Sequence, residues 1–324
     1  MLNLKSPLSV VWEITNACNF TCPHCRSFAD IIAIDEHLEE KIIKEIITAE
    51  VLNINLSGGE PLLHPRIAKL VSIFSANGLN VEIATNGWHY EEKANLLKEA
   101  GVNCVLISVD GPEEIHDSFR GQEGSFRRAI GSLSLAKNLG HITQMNITIT
   151  SKNMDYLFET IRIGQELGVD RIFIRRLIPT GLAKQNGNLQ LDRDRYIAVL
   201  KKLTKYEDMS KVPIGIDDPI YPIVKHKFVD ENSLNCVAGI TSLGIDSEGN
   251  IYPCLFLRKS IGNIKITDLK EIWKKSDTLI KLRNRDINIC GTCQYKYSCG
   301  GCRAYSGIFE HDEMCPMHNS HDHV

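Results

Sequence analysis

Residues 10–25 read VVWEITNACNFTCPHC, an apolar run that passes directly into three closely spaced cysteines. The run at 10–14 is short and rich in β-branched residues, which is typical of a buried strand. Cys18, Cys22 and Cys25 are therefore expected on a loop at the carboxyl end of the first strand. Parallel α/β folds place their chemistry on such loops, because the loops can vary while the strands stay packed.

Further apolar runs follow at residues 53–57, 80–84, 105–109, 144–150 and 171–174. Between them lie stretches with apolar residues at three- and four-residue spacing, at 38–51, 65–77, 90–99, 125–139 and 155–167. Strict alternation of strands and helices predicts a parallel sheet with helices outside it. We therefore predict an α/β fold, a partial (β/α)6 TIM-like barrel over residues 1–185.

The alternation fades after residue 181, where a helix at 191–206 precedes a proline-containing stretch that resembles a loop. The sequence pattern changes again from Cys236, where short segments contain many cysteines and glycines. We predict a linker or bridging region over 186–235, a small cysteine-rich domain over 236–318, and a tail over 319–324. A disordered, exposed end is the preferred interpretation of the histidines in the tail.

Charge and composition argue against several classes of partner. The chain has 324 residues with 37 basic and 40 acidic side chains, a formal net charge of −3. This charge gives no electrostatic reason to expect nucleic acid or an anionic membrane. No apolar run approaches the ~20 residues of a membrane span, and the N-terminus lacks the features of a signal peptide. We expect a soluble cytoplasmic protein.

Cysteine usage gives the first indication of function. Of 11 cysteines, three lie within residues 18–25 and seven within 236–315, whereas Cys104 stands alone and is expected in the core. Structural disulfides are rare in the cytosol, so clustered cysteines indicate metal or cluster ligands. Zinc is an alternative for both groups, and three incidental thiols are a further alternative for the first.

The first cysteine group can bind three of the four irons of a [4Fe–4S] cluster and leave one iron open to a further ligand. Its CxxxCxxC spacing resembles the radical S-adenosylmethionine (SAM) superfamily. The resemblance implies that the open iron binds SAM and that the reduced cluster cleaves SAM to a 5′-deoxyadenosyl radical. Cys18, Cys22 and Cys25 would then be the catalytic ligands of this [4Fe–4S] cluster.

Polar and glycine-rich segments end the next three predicted strands. Gly58-Gly59-Glu60-Pro61 resembles the GGEP motif that holds the SAM amino group, and its glycines are expected to let the backbone approach the ligand. By the same resemblance Ser108 and Arg120 bind the SAM carboxylate, with Arg175 or Arg176 as a substitute for Arg120. His24 either packs near the adenine or is an ordinary loop residue. The implied cofactor-binding set is His24, Gly58, Gly59, Glu60, Pro61, Asn86, Ser108, Asp110 and Arg120.

The seven later cysteines, with the segment Cys299-Gly300-Gly301-Cys302-Arg303-Ala304, resemble the SPASM domain, which carries auxiliary iron–sulfur clusters. The resemblance implies one cluster farther from SAM, held by Cys290, Cys293, Cys299 and Cys315. It implies a nearer one held by Cys236, Cys254 and Cys302. Seven cysteines cannot supply eight ligands, so the nearer cluster is open, uses another ligand or is smaller. We expect one or two auxiliary clusters.

Two classes of function compete, an enzyme that abstracts hydrogen and a non-catalytic iron–sulfur protein. The SAM-binding segments favour the enzyme, because an electron carrier needs no SAM pocket. Similar enzymes modify ribosomal peptides, so we predict a peptide maturase that forms a crosslink or thioether or epimerises a residue. The alternative is decarboxylation or oxidation of a small cofactor precursor such as a haem-pathway tetrapyrrole. Leu255 argues against a sulfatase maturase, which typically has Asp after the cysteine equivalent to Cys254.

Partners follow from these two alternatives. Reductive cleavage of SAM requires an electron donor, of the flavodoxin or ferredoxin type. Because the first strand begins near residue 10, we expect no N-terminal domain that recognises a leader peptide. The substrate is then either a small molecule or a peptide that depends on a separate leader-peptide-binding protein.

Overall fold

The fold is taken from a computed structural model that describes residues 4–26, 35–225, 236–286, 288–308 and 310–317. The predicted tail and residues 226–235 of the predicted linker lie outside the described residues. Within them, one sheet contains ten strands. These are β1 (Ser9–Thr15), β2 (Asn53–Gly58), β3 (Asn80–Thr85), β4 (Cys104–Ser108), β5 (Ile142–Ile149), β6 (Arg171–Arg176), β7 (Ile214–Ile216), β8 (Ser242–Ile245), β9 (Asn250–Tyr252) and β10 (Gly262–Asn263).

Helices fill most of the connections between these strands. They are α1 (Glu36–Thr48), α2 (Ile67–Ala76), α3 (Tyr90–Ala100), α4 (Glu113–Arg120), α5 (Ser125–Asn138), α6 (Leu157–Leu167), α7 (Leu182–Gln185), α8 (Arg193–Met209), α9 (Tyr221–Val224), α10 (Leu269–Lys275), α11 (Asp277–Arg283), α12 (Asn288–Thr292) and α13 (Arg303–Ser306). Short 3₁₀ turns lie at Pro61–Leu63, Met154–Tyr156 and Gly187–Leu189. In the described parts of the chain, no helix is both long and apolar enough to cross a bilayer.

The sheet confirms the predicted parallel α/β architecture. Its strand order is β10-β9-β8-β1-β2-β3-β4-β5-β6-β7, and neighbouring strands from β8 through β1 to β7 are parallel. The six predicted strands match β1 to β6 to within about two residues at each end, the usual uncertainty of such bounds. Because parallel strands end at the same edge, the connections after β1 to β6 begin there, and the predicted SAM-binding segments lie at the ends of β1 to β4 or in the connections that follow them.

Two elements differ from the sequence-based expectation. The proline-containing stretch expected to be a loop contributes β7, which pairs with β6 from Ile172↔Ile214 to Ile174↔Ile216. A short edge strand tolerates flanking prolines, since only one side of it must donate hydrogen bonds. No element was predicted over residues 113–120, but this segment forms the helix α4, which ends at Gly121 in the left-handed conformation (φ 68°).

The cysteine-rich region joins the barrel through the sheet itself. The strands β8 and β9 are antiparallel and form a hairpin, and Gly249 between them has a φ of 81°. Asp246 stabilises this turn by accepting hydrogen bonds from the backbone N–H groups of Glu248 (3.0 Å) and Asn250 (2.9 Å). The pairing of β8 with β1, from Ser9↔Ser242 to Trp12↔Ile245, was not predicted. It places the hairpin beside the strand that leads into the first cysteine loop.

Candidate active site

The first cysteine loop is held by contacts from a distant part of the chain. Within the loop, the Phe20 N–H donates to Cys18 Sγ (3.4 Å) and the Cys25 N–H donates to the Cys22 carbonyl (3.1 Å). From the segment after β6, the Ala183 N–H donates to the Cys25 carbonyl (3.2 Å). Asn186 Nδ2 donates to the Pro23 carbonyl (3.0 Å). Sequence reasoning missed these contacts, because nothing in residues 181–186 marks them as partners of the loop.

The glycines of the GGEP segment closely approach the chain that leads into the cysteine loop. A Cβ at Gly58 would lie 2.1 Å from the Thr15 carbonyl oxygen, and one at Gly59 would lie 2.2 Å from that of Ala17. The Gly59 N–H donates to Thr15 and the Glu60 N–H to Ala17, each at 2.8 Å. Because these two residues have no side chain, the end of β2 can pack against the chain that enters the cysteine loop.

Hydrogen bonds of Glu60 and its neighbour Asn86 connect the loops after β1, β2 and β3. The buried Glu60 carboxylate accepts hydrogen bonds from Thr85 Oγ1 (2.6 Å) and from the backbone N–H groups of Asn86 (2.8 Å) and Leu62 (3.0 Å). Asn86 in turn donates from Nδ2 to Asn19 Oδ1 (2.9 Å), inside the cysteine loop. The predicted residues Glu60 and Asn86 thus connect the ends of β2 and β3 to the loop. Pro61 is buried and begins the 3₁₀ turn that Glu60 caps.

Arg120 lies beside the cysteines but is already engaged with Asp110. Its Nη2 donates to Asp110 Oδ2, and its Nη1 is 3.9 Å from Cys22 Sγ. Although burial raises the pKa of Asp110, the Arg120 guanidinium more than offsets it and holds the value below the usual range. Arg120 Nε is buried and has no hydrogen-bond partner within the described residues. One N–H group of a fixed cation is therefore available next to the cysteine loop.

Ser108 and His24 complete the predicted SAM-binding group. Ser108 is half-buried at the end of β4, and its hydroxyl makes no hydrogen bond to the described residues. The His24 ring stacks on Phe119 with centroids 4.2 Å apart and planes 7° from parallel. Burial, together with the nearby Arg120 guanidinium, lowers the pKa of His24 to about 3, so the ring is neutral. His24 Nδ1 is buried without a partner in the described part of the chain.

The later cysteines lie in two places in the structure. One cavity is lined by Cys290, Cys293, Cys299 and Cys315. In the other group, burial raises the pKa of Cys254 to about 11, with a contribution from the nearby Cys302 thiol. Burial likewise raises the pKa of Cys302 to about 12, with a contribution from Cys236. Mutual effects of this kind require the three thiols to lie close together.

Most of these sulfurs accept a hydrogen bond from the chain two residues later. The N–H groups of Phe20, Tyr295, Gly301 and Met317 donate to Cys18, Cys293, Cys299 and Cys315 at 3.1–3.4 Å. The N–H groups of Ala238 and Phe256 act in the same way on Cys236 and Cys254. Such donors stabilise thiolates, and hydrogen bonds to sulfur also set cluster potentials, so the donor set fits iron–sulfur ligation.

Cys104 has a different environment and serves as an internal comparison. It is buried within β4, as predicted, and Arg171 Nη2 lies 3.3 Å from its sulfur. Burial raises the pKa of this thiol to about 11. The side chain of Cys104 is part of the packed strand, far in sequence from both cysteine groups.

A buried charge network joins the barrel to the cysteine-rich region, and sequence reasoning missed it. Arg176 at the end of β6 pairs with Asp218 (Nε to Oδ2, 3.4 Å) and with Asp312. Tyr196 Oη donates to Asp218 (2.6 Å), and Asp312 accepts the Cys302 N–H (2.9 Å). Arg176 is 1% exposed, and its guanidinium is engaged by these two carboxylates.

Two models of known protein families match this chain. The model of the radical SAM superfamily matches residues 12–164, and SPASM, an iron–sulfur cluster-binding domain, matches residues 236–300. The chain is a radical SAM enzyme. Membership establishes that it uses [4Fe–4S] clusters and SAM, and the SPASM domain makes iron–sulfur, not zinc, the metal chemistry of the C-terminal region. The non-catalytic alternative was therefore wrong.

Curated relatives of this radical SAM enzyme act on different substrates. A heme synthase of Oleidesulfovibrio alaskensis is 30% identical, with 91% of this chain and 82% of that protein covered. A pre-heme d1 synthase of Dinoroseobacter shibae is 26% identical, with 90% and 80% covered. The mycofactocin maturase MftC of Mycobacterium tuberculosis is 29% identical, with 93% and 79% covered. The relatives leave both predicted substrate classes open.

Solved structures support the fold of the radical SAM enzyme. SuiB of Streptococcus suis, bound to S-adenosylmethionine, aligns with a TM-score of 0.78 at 18% identity, covering 96% of this chain and 78% of that one. The AdoMet-bound anSMEcpe aligns with a TM-score of 0.75 at 21% identity, covering 97% and 92%. At such identities the likeness concerns the fold alone.

Proposed function

We propose that this enzyme abstracts hydrogen from a haem-pathway tetrapyrrole that carries propionate side chains. Heme synthases of Oleidesulfovibrio alaskensis and Methanosarcina barkeri support this choice, with 30% and 29% identity over nearly the whole chain. Both are covered over most of their own length, 82% and 92% respectively. The tetrapyrrole, the alternative from the sequence, therefore becomes the first candidate, and a peptide becomes the second.

In this proposal Cys18, Cys22 and Cys25 bind the first cluster. When bound, that cluster and SAM supply a 5′-deoxyadenosyl radical that takes a hydrogen atom from the substrate. Ser108 and the Arg120 Nε group donate to the SAM carboxylate, because both are donors without partners in the described residues. Asp110 positions Arg120, whereas Glu60 and Asn86 hold the loops that surround the ligand.

The later cysteines are assigned to the auxiliary clusters as the resemblance implied. Cys290, Cys293, Cys299 and Cys315 hold one cluster, and Cys236, Cys254 and Cys302 hold the other. The grouping of the thiols and the N–H groups that point at their sulfurs support this division. The domain limits predicted from the sequence, including the linker over 186–235, stay proposals.

The observation that carries the proposal is a direct contact between the two metal-binding regions. Arg26 follows Cys25, and its guanidinium carbon lies 5.4 Å from the centre of the Phe256 ring, two residues after Cys254. A substrate held beside this contact is flanked by the site of radical formation and by the three-cysteine group. That placement suits a reaction that removes a hydrogen atom and then an electron.

Such a reaction is balanced for a propionate side chain. Loss of a hydrogen atom, carbon dioxide and one electron converts the propionate to a vinyl group. The released electron balances the electron that a flavodoxin- or ferredoxin-type donor supplies for SAM cleavage. SAM is therefore the oxidant of the reaction, and no further oxidant is required.

The test is an anaerobic assay of the reconstituted, reduced enzyme with SAM and Fe-coproporphyrin III, followed by mass spectrometry. We expect porphyrin products with vinyl groups, formed together with 5′-deoxyadenosine. The methyl ester of the same porphyrin should give no vinyl product, because its esters cannot release carbon dioxide. Unchanged Fe-coproporphyrin III in the presence of steady SAM cleavage would contradict the proposal.

A peptide substrate is the second candidate, supported by the 29% identity to mycofactocin maturase over 93% of this chain. In this case a separate leader-peptide-binding protein is expected to deliver the peptide. Mass change of a peptide, with no change of the porphyrin in the same assay, would select this candidate.

A further inference from the structure

A cluster of three arginines surrounds the contact between the two metal-binding regions. Arg26 Nε donates to Glu13 Oε1 (2.9 Å), and Arg258 makes two hydrogen bonds of 2.9 Å to the same carboxylate. Glu13 lies on β1 and is 6% exposed. A single buried carboxylate therefore serves two guanidinium groups.

Arg175 is the third member of this cluster. Its guanidinium carbon lies 5.3 Å from the centre of the Phe256 ring, and Arg26 lies at 5.4 Å from the same ring. Arg175 pairs through Nη2 with Asp217 (3.0 Å), whose side chain is 41% exposed. An exposed pair of this kind is weak and exchanges readily with another anion.

Among the described residues, the three guanidinium groups offer more N–H donors than the neighbouring carboxylates use. Each guanidinium has five N–H groups, and Arg175 uses one terminal nitrogen on Asp217 within the described residues. Asp246 lies near Arg258, but its carboxylate is occupied by Asn250 and by Tyr252 Oη (2.8 Å). Glu13, Asp217 and Asp246 therefore face three guanidinium groups, and within the described residues Arg175 keeps N–H groups that no partner uses.

The position of Arg175 indicates a ligand. Arg175 lies near the end of β6 and close to Cys254, and Arg26 adjoins Cys25. Arg258 has a φ of 49°, in the left-handed region that a side chain of its size rarely adopts. Strain of this kind is retained where the surroundings impose it, often at functional sites. Here the bend brings the Arg258 guanidinium back onto Glu13.

We propose that Arg175, with Arg26 and Arg258 behind it, binds a carboxylate of the substrate. A planar guanidinium matches a carboxylate with two parallel hydrogen bonds, which fixes both position and orientation. This inference rests on the proposed function, since it names the group by which the tetrapyrrole is held between the two metal-binding regions. Asp217 occupies the place of that carboxylate when no substrate is bound.

The experiment is an equilibrium titration of the reconstituted holoenzyme with Fe-coproporphyrin III, followed by the absorbance of the porphyrin. Arg175→Gln should weaken binding about ten- to a hundredfold, the effect of losing a charged hydrogen bond. Arg175→Lys should be intermediate, because the charge remains but the paired geometry is lost. Arg171→Gln is the matched control on the same strand, and it should bind like the wild type.

The outcomes separate the two proposals. Equal affinity of wild type and Arg175→Gln, with normal iron content in both, would overturn the carboxylate site and leave the proposed function standing. Failure of the wild type to bind or convert the porphyrin would overturn both. If Arg175→Gln does not retain its iron, Arg258→Gln replaces it, with the same expected loss and the same contradiction.

Discussion

The absence of a Cβ at Gly59 allows the end of β2 to pack closely against the chain before the cysteine loop. Because a Cβ there would lie 2.2 Å from the Ala17 carbonyl oxygen, Gly59→Ala must displace the chain just before Cys18. We expect a loss of about 1–3 kcal/mol in the free energy of unfolding, the usual range for overpacking. Urea denaturation of the anaerobic protein measures this change.

Gly131→Ala is the control for that measurement, because a Cβ at Gly131 meets no atom within 4 Å. Gly131 lies inside α5, where alanine is favoured over glycine by roughly 0.5–1 kcal/mol. The control should therefore be neutral or more stable than the wild type. Equal destabilisation by both variants would show that the close approach at Gly59 is unimportant.

Ser108 supplies a second prediction at the scale of the residue. Replacement by alanine removes one donor to the SAM carboxylate, so SAM affinity should fall roughly two- to tenfold, by about 0.5–1.5 kcal/mol. Ser134→Ala is the control, since that hydroxyl donates to the Ile130 carbonyl on the exposed face of α5. Isothermal titration with SAM gives both values, and an unchanged affinity of Ser108→Ala would remove Ser108 from the site.

Sequence could locate the site residues because their chemistry is local. The spacing of Cys18, Cys22 and Cys25 and the segment at Gly58–Glu60 are read from adjacent positions. Their roles were harder to predict, because Gly59 faces Ala17 and Glu60 faces Asn86, contacts that exist only after folding. The Arg176–Asp312 pair spans 136 positions and leaves no periodic pattern in the sequence.

At the scale of the element, the end of β6 is fixed by that charge network. Arg176→Met leaves Asp218 and Asp312 buried without their cation, so it should cost about 3–5 kcal/mol. Arg162→Met removes an exposed pair with Glu166 in α6 and should change stability by less than about 1 kcal/mol. Thermal unfolding of the two variants tests the contrast, and similar melting temperatures would contradict it.

A strand or helix could be predicted from the sequence where its apolar residues form a clear pattern. The strands β1 to β6 have long apolar patterns, and all six were expected. The three residues of β7, Ile214–Ile216, are too few to show a period, and the eight residues of α4 include only two apolar side chains, Ile115 and Phe119. The parallel pairing of β8 with β1 depends on tertiary contacts between distant segments, which no local pattern encodes.

For the whole molecule, the auxiliary cysteines predict a metal content. After Cys18, Cys22 and Cys25 are replaced by alanine, two auxiliary [4Fe–4S] clusters should leave about eight irons per chain, by four irons per cluster. The separation of the later cysteines into a group of four and a group of three motivates this value. Iron and sulfide analysis is the measurement. About four irons would mean that Cys236, Cys254 and Cys302 do not hold a cluster.

The central claim is that the loop after β1 is the site of SAM cleavage. The most direct test compares 5′-deoxyadenosine release by the reduced wild type with release by the variant in which Cys18, Cys22 and Cys25 are all alanine. We expect steady release by the wild type and none by the variant, while the variant keeps its auxiliary iron. Continued release by the triple variant would place SAM cleavage elsewhere in the chain.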